Sequence, residues 1–206
     1  MGRVLPIRFY ARPAVVVARE LLGARIVSSV DGLLTVGRIV ETEAYTGPDD
    51  EASHAAARIG RTARNAAMFG PPGSAYVYRI YGVHWCLNVV TDTVDHPAAV
   101  LIRAIEPITG IDVMHERRGR GTIARCLIGR GPGNLARALG IDGILNGQSL
   151  RVAPLRLLRG DAIDDAAIAT GPRIGVTRAM DLPLRFFIRG NPSVSGRRKQ
   201  SRPPER

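Results

Sequence analysis

Asp31-Gly32 stands between two β-branched runs, Ala24 to Val30 and Leu33 to Tyr45. The dipeptide tolerates positive φ at successive positions, which a tight hairpin turn needs, so the runs are predicted to pair antiparallel. The remaining pattern follows suit, with further strands predicted over Ala75–Tyr81, His84–Thr91, Ala99–Pro107 and Pro183–Arg189. Helices are predicted over Arg12–Leu22, where Pro13 suits a first turn and Gly23 a stop, over Ile108–Arg118, and over Asn134–Leu139, ended by Gly140. Strands joined by short turns, with helices inserted rather than strictly alternating, imply an α+β fold: one curved, mostly antiparallel sheet with helices packed around it. The 206 residues suit a single domain with its own core. Residues 1–195 are read as that domain. Residues 196–206, GRRKQSRPPER, lack apolar side chains and read as a basic, disordered tail.

A net charge of +11 is the footprint of a protein that handles phosphate polymers. Of 29 basic residues only Lys199 is lysine; the others are arginines, whose planar fork pairs with phosphate at two points. Cys86 and Cys126 have neither a disulfide framework's number nor a metal ribbon's spacing, which fits a reducing cytoplasm. No charged N-terminal stretch precedes an apolar run, and no apolar run spans a bilayer. A cytoplasmic, nucleoid-associated protein with no membrane contact is expected.

Val40 to Asn88 carries the chemistry. Tyr45, Tyr76, Tyr78 and Tyr81, four of the five tyrosines, lie here with His54 and the single tryptophan, Trp85. Aromatic rings can cover the face of a nucleobase, though tyrosines also fill ordinary cores. Alternation separates the two uses. In VETEAY, Glu41, Glu43 and Tyr45 share a face, and two carboxylates beside a ring make a poor core and a plausible site. In AYVYRIY, Tyr76, Tyr78 and Ile80 share one face and Val77, Arg79 and Tyr81 the other, so Tyr78 and Tyr81 are expected to do different jobs. In AVLIRAIEP, Arg103 falls with Leu101 and Ile105 as a lone cation in an apolar run, and Glu43 is one candidate partner for it.

The blocks VETEAYTGPDDEASHA, RNAAMFGPPGSAYVYRIYGVHWCLN, LIRAIEP, GPGNLARALGI and PLRFFIRGNPSVS resemble the alkylpurine family of DNA-3-methyladenine glycosylases, from Ala11 to Ser195. The resemblance implies a monomeric enzyme without cofactor or metal that flips damaged purines, alkylated or deaminated, from duplex DNA. Tyr81 matches the residue that enters the vacated space. Tyr45, His54 and Tyr78 match the aromatic sandwich around the flipped base, and Asn88 a residue disfavouring normal guanine. A cationic base gains attraction from such rings. Glu43 matches the water-activating carboxylate and Arg103 a residue holding that water; a carboxylate can both take a proton and stabilise an oxocarbenium-like transition state. Gly133 and Asn134 fall at a phosphate-binding helix start, with lysine common in the family where this chain has Asn134. Arg117, Arg118 and Arg120 form a basic cluster that either touches DNA or is a solvated helix end.

Independently of the resemblance, a glycosylase that also cuts the backbone needs an amine nucleophile, usually lysine, and Lys199 lies in the tail, so water is the expected nucleophile and no lyase step is expected. Two rival readings are a metal-dependent nuclease using Asp49, Asp50, Glu51 and His54, and a non-catalytic nucleic-acid binder on the same fold. The joint presence of Glu43, Tyr45, His54, Tyr78, Tyr81 and Arg103 disfavours the second.

Overall fold

The computed structural model of the chain describes residues 2–53, 60–119 and 123–196. Among these residues eight strands form one unclosed sheet: β1 (Arg25–Ser28), β2 (Thr35–Tyr45), β3 (Ala75–Ile80), β4 (His84–Thr91), β5 (Ala98–Thr109), β6 (Leu155–Leu158), β7 (Ile168–Gly171) and β8 (Arg185–Ile188). The order is β3-β4-β5-β2-β1-β6, with β8 bridging β2 and β7. Every pairing is antiparallel. Among the described residues five α-helices accompany it: α1 (Ile7–Tyr10), α2 (Ala14–Glu20), α3 (Ile111–Arg118), α4 (Arg125–Ile128) and α5 (Pro132–Leu139). The α+β expectation holds.

The Asp31-Gly32 hairpin forms, with Ser28 opposite Thr35 and both turn residues at positive φ, 57° and 75°. Its loop is longer than two residues, because Val30–Gly32 makes a short 3-10 turn. The helix boundaries move: α2 runs Ala14–Glu20 inside the expected Arg12–Leu22, with Pro13 as its cap rather than in its first turn. β5 continues to Thr109, pairing Pro107 with Gly37 and Thr109 with Val36, so α3 starts at Ile111 rather than Ile108. α5 takes in Pro132, whose fixed φ and missing N–H suit a first turn. The short strands β6 and β7 escape the sequence pattern, as do α1 and α4, each only four residues long.

One face of the sheet carries the main core. Val17, Ala18 and Leu21 of and beside α2, Leu135 and Leu139 of α5, and Met114 of α3 pack with Ile26, Ile39, Ala44, Val89, Val100, Ile102 and Ile105. The opposite face carries a smaller cluster of Met68, Tyr76, Val90 and Ala99, with Tyr45 and Tyr78 against it. Between the faces lies the decisive irregularity. β2 and β5 slip register between Ile39 and Thr42, where Glu41 pairs with Ala104 and Thr42 with Ile102, leaving Val40 and Arg103 without cross-strand partners. A slip of one residue turns every later side chain to the other face. Ile39, Thr42 and Ala44 therefore all look toward the helices, Thr42 donating to the Ala18 carbonyl at 2.8 Å. Glu41 and Glu43 look the other way. The same slip corrects one expectation: Ile105 joins Ile102 in the core instead of sharing the face of Arg103.

Candidate active site

Register makes the site a row across five strands. Tyr76 of β3 pairs with Asn88 of β4, Asn88 with Leu101 of β5, Leu101 with Glu43 of β2, and Glu43 with Arg185 of β8. Directly opposed residues share a face. Beside this row Tyr78 opposes Cys86, and Tyr45 opposes Ala99. The strands thus gather Glu43, Tyr45, Tyr78, Asn88 and Arg103 from three distant stretches of sequence.

Glu43 is fully buried, yet each of its oxygens is held. Oε1 accepts the Ile174 N–H at 2.7 Å and lies 3.2 Å from Arg103 Nη1, while Oε2 accepts the Tyr45 hydroxyl at 3.1 Å. Burial pushes its carboxyl above the usual range, and Arg103, the Ile174 N–H and the Tyr45 hydroxyl oppose the rise without cancelling it. Such a group is a better base than an ordinary carboxylate. Arg103, aimed by the bulge, also lies 3.4 Å from Glu41 through Nε and donates through Nη2 to Ser195 Oγ at 3.3 Å. The lone cation of the apolar run therefore serves both carboxylates.

The aromatic residues sit on the smaller cluster. The rings of Tyr76 and Tyr78 lie 5.2 Å apart, as alternation predicts. Burial raises the hydroxyl pKa of Tyr45 and Tyr78, so both are neutral hydrogen-bonding groups at physiological pH. Arg173 backs the Tyr45 ring at 4.8 Å and is itself neutralised by two hydrogen bonds to Asp50, at 2.5 and 2.8 Å. Asn88 is buried and donates to the Tyr76 carbonyl at 3.0 Å, which fixes its amide plane on the row. His54 lies outside the described residues.

Tyr81 departs from the expected strand. β3 ends at Ile80, and Tyr81 occupies the turn to β4 with φ 53°, so alternation with Val77 and Arg79 does not set its direction. It is 84% exposed, a large ring held in solvent at the tip of a hairpin. The start of α5 lies against that hairpin: a Cβ on Gly133 would meet the His84 side chain. Asn134 accepts from Arg118 and donates to the Arg130 carbonyl at 2.7 Å, so its amide is occupied within the fold. Arg117 is directed elsewhere, donating to the Val30 carbonyl at 2.9 Å and approaching Asp31 at 3.7 Å across the β1–β2 turn. Arg120 lies outside the described residues.

Sequence reasoning missed five contributors. Cys86 is a free, buried thiol hydrogen-bonded with the Tyr78 hydroxyl, and burial pushes its pKa up to about 11. Arg185 and Ser195 reach Glu41, the Ile174 backbone reaches Glu43, and Arg173 backs Tyr45. A cleft of about 490 Å³ opens beside them, lined by Ile174, Arg185, Ser195 and Arg130 among others. Only alternation on the Arg185–Ile188 strand could have signalled Arg185; a backbone N–H leaves no mark in sequence. In the acidic run, the Asp50 carboxylate is taken by Arg173 and by the N–H groups of Thr46 and Ala52, at 3.1 Å each. No cluster of three His, Cys, Asp or Glu able to hold a metal occurs among the described residues. No helix among them is long and apolar enough to cross a membrane.

The family model of methylpurine-DNA glycosylase matches residues 8–192. A protein of Methanoculleus marisnigri, provisionally named 3-methyladenine DNA glycosylase, is 48% identical over 94% of this chain and 99% of its own length. Proteins of Myxococcus xanthus and Carboxydothermus hydrogenoformans bear the same provisional name. They are 48% and 45% identical, over 95% and 93% of this chain and 97% and 98% of their own lengths.

Proposed function

The chain belongs to the methylpurine-DNA glycosylase family, and from that premise we propose that it flips damaged purines out of duplex DNA and hydrolyses their N-glycosidic bond with water activated by Glu43. It is a DNA glycosylase of DNA repair; the base, the nucleophile and the residue roles are the finer reading. The observation that carries this reading is the environment of Glu43: a buried carboxylate with raised pKa, oriented by Arg103, the Ile174 N–H and Tyr45. Water attacking the anomeric carbon must lose a proton, and the sugar in the transition state carries positive charge. One ionised carboxylate answers both needs.

Tyr45 and Tyr78 offer ring faces to the extruded base, with His54 in the same role. A cationic alkylpurine is favoured over a normal base by the electron-rich faces of such rings, and the relatives' names point to 3-methyladenine as a substrate. Asn88 meets the base edge and disfavours normal guanine. Tyr81, exposed at its hairpin tip, fills the gap in the duplex and offsets part of the few kcal/mol lost on unstacking. Gly133, at the α5 start beside that hairpin, approaches the DNA backbone through N–H groups. Asn134 and Arg118 support that helix start as a pair. Arg117 contributes to the basic surface only through its charge, since its guanidinium is tied to the β1–β2 turn.

The enzyme works as a monomer and needs neither metal nor cofactor. Residues 1–195 make the catalytic unit, and the basic tail adds non-specific attraction to DNA. The purified protein, in the presence of a chelator, is expected to release free 3-methyladenine from methylated duplex DNA and leave abasic sites in intact strands. Strand scission without heat or alkali would reject the water mechanism, and activity abolished by the chelator would reject metal independence.

A further inference from the structure

A second carboxylate lies beside the proposed base. Glu41 is fully buried, which is costly unless donors and opposite charge surround it. They do. Its Oε1 accepts from Arg185 Nη1 at 2.9 Å and lies 3.4 Å from Arg103 Nε, and its Oε2 accepts the Ser195 N–H at 2.6 Å. Glu43 bonds the Tyr45 hydroxyl and faces one guanidinium, whereas Glu41 bonds no aromatic group of the site and faces two, Arg103 and Arg185. Arg103 spans the two acids: Nε faces Glu41, Nη1 is 3.2 Å from Glu43 Oε1, and Nη2 donates to Ser195 Oγ. Glu43 therefore receives one nitrogen of the guanidinium rather than the two-pronged pairing that binds a carboxylate most firmly.

We infer that Glu41 is a positioning residue for base excision: through Arg103 it keeps the guanidinium shared between two carboxylates, and through Ser195 it pins the 191–196 return beside the cleft. The inference rests on the reading of Glu43 as the base. An Arg103 given wholly to Glu43 would stabilise its ionised form and blunt it as a proton acceptor. Glu41 prevents this by competing for the same cation, while Arg185 keeps Glu41 from taking Arg103 entirely.

The two neighbours of Arg103 should thus act with opposite sign. Glu41→Gln removes a negative charge near Glu43 and releases Arg103 and Arg185, and every one of these changes favours ionised Glu43. Arg185→Met keeps an apolar stem over the Phe187 ring, where the guanidinium now lies at 4.6 Å, but deprives Glu41 of its nearest cation, so Arg103 is drawn from Glu43. Among the described residues, the other titratable or charged groups that face Glu43 are Tyr45 on its own strand, Tyr78 of β3 and Cys86 of β4, with Arg173 behind the Tyr45 ring. Neither substitution removes any of them.

The test is the single-turnover release of 3-methyladenine from methylated duplex DNA, followed against pH; this base is already cationic in DNA, takes the glycosidic electron pair as it departs, and so leaves neutral without needing a proton. In Glu41→Gln the acid limb should move about one pH unit lower, with a plateau about tenfold lower because the base is weaker. In Arg185→Met the limb should move upward by about as much. Should Glu41→Gln fail to fold, the upward shift in Arg185→Met decides alone. Rates lowered equally at every pH, with the limb unmoved, would overturn the inference and leave Glu41 a structural residue. A limb in the unsubstituted protein that Glu43→Gln does not abolish would overturn the assignment of Glu43, and this inference with it.

Discussion

Two buried carboxylates, Glu43 and Asp50, are driven in opposite directions. Burial wins at Glu43 and raises its pKa. At Asp50 burial also pushes upward, but two hydrogen bonds and the charge from Arg173, with the N–H groups of Thr46 and Ala52, outweigh it and hold the carboxyl low. The first therefore suits proton transfer, and the second is a structural anchor for the loop after β2. For Glu43, the ionised form is the active one and disappears as pH falls through the raised value, so the acid limb of the excision rate should lie above the ordinary glutamate value of about 4.3. A rate already flat at pH 5 and above would contradict that direction. For Asp50, the lowered pKa stabilises the fold above the ordinary aspartate value and loses that contribution as pH falls through the folded one. Because Arg173 and Asp50 are both buried, Arg173→Met should leave an unpaired charge and cost about 3 kcal/mol in denaturant unfolding. A cost under about 1 kcal/mol, the range of surface pairs, would show that the anchor is not needed.

At the scale of elements, the strands that carry the site were readable and the detail that aims them was not. β4 lies where its alternation predicts, and VETEAY turns Glu41, Glu43 and Tyr45 to one face, as Arg103 and the Tyr45 hydroxyl confirm by reaching those carboxylates. Nothing in the residue types announces the slip between Ile39 and Thr42, because a bulge is set by how two strands meet. That slip brings Arg103 between the two acids. Arg185, Ser195 and the Ile174 N–H went unread for a related reason: their roles arise only when β8 and its flanking segments fold against β2. Tyr81, a non-glycine residue at φ 53° in a hairpin turn, is strained, and an exposed ring adds no packing to compensate. Tyr81→Gly should therefore leave unfolding free energy within about 1 kcal/mol of the parent, while excision from paired duplex slows well beyond excision from a mismatched lesion. An equal rate on paired DNA would remove Tyr81 as the wedge.

At the scale of the whole molecule, the +11 charge and the exposed Tyr81 ring are proposed to serve the same encounter. Arginines attract the phosphate backbone, so duplex affinity should fall steeply with salt, roughly in proportion to the number of phosphates neutralised; an affinity indifferent to salt between about 50 and 200 mM would exclude a phosphate-led encounter. Removing residues 197–206 should lower that affinity and leave the single-turnover excision rate of bound DNA unchanged. The α+β class and the antiparallel sheet were legible because hairpin chemistry and alternation are local, whereas the cleft lined by Ile174, Arg185 and Ser195 is built mostly by segments near the end of the chain that fold against β2. Every proposed step depends on Glu43 as the water-activating base. Its most direct test compares single-turnover release of 3-methyladenine by the unsubstituted protein and by Glu43→Gln on the same methylated duplex, with lesion binding measured alongside. The account predicts a loss of about a hundredfold or more in release with binding retained; release within a few fold of the parent would contradict it.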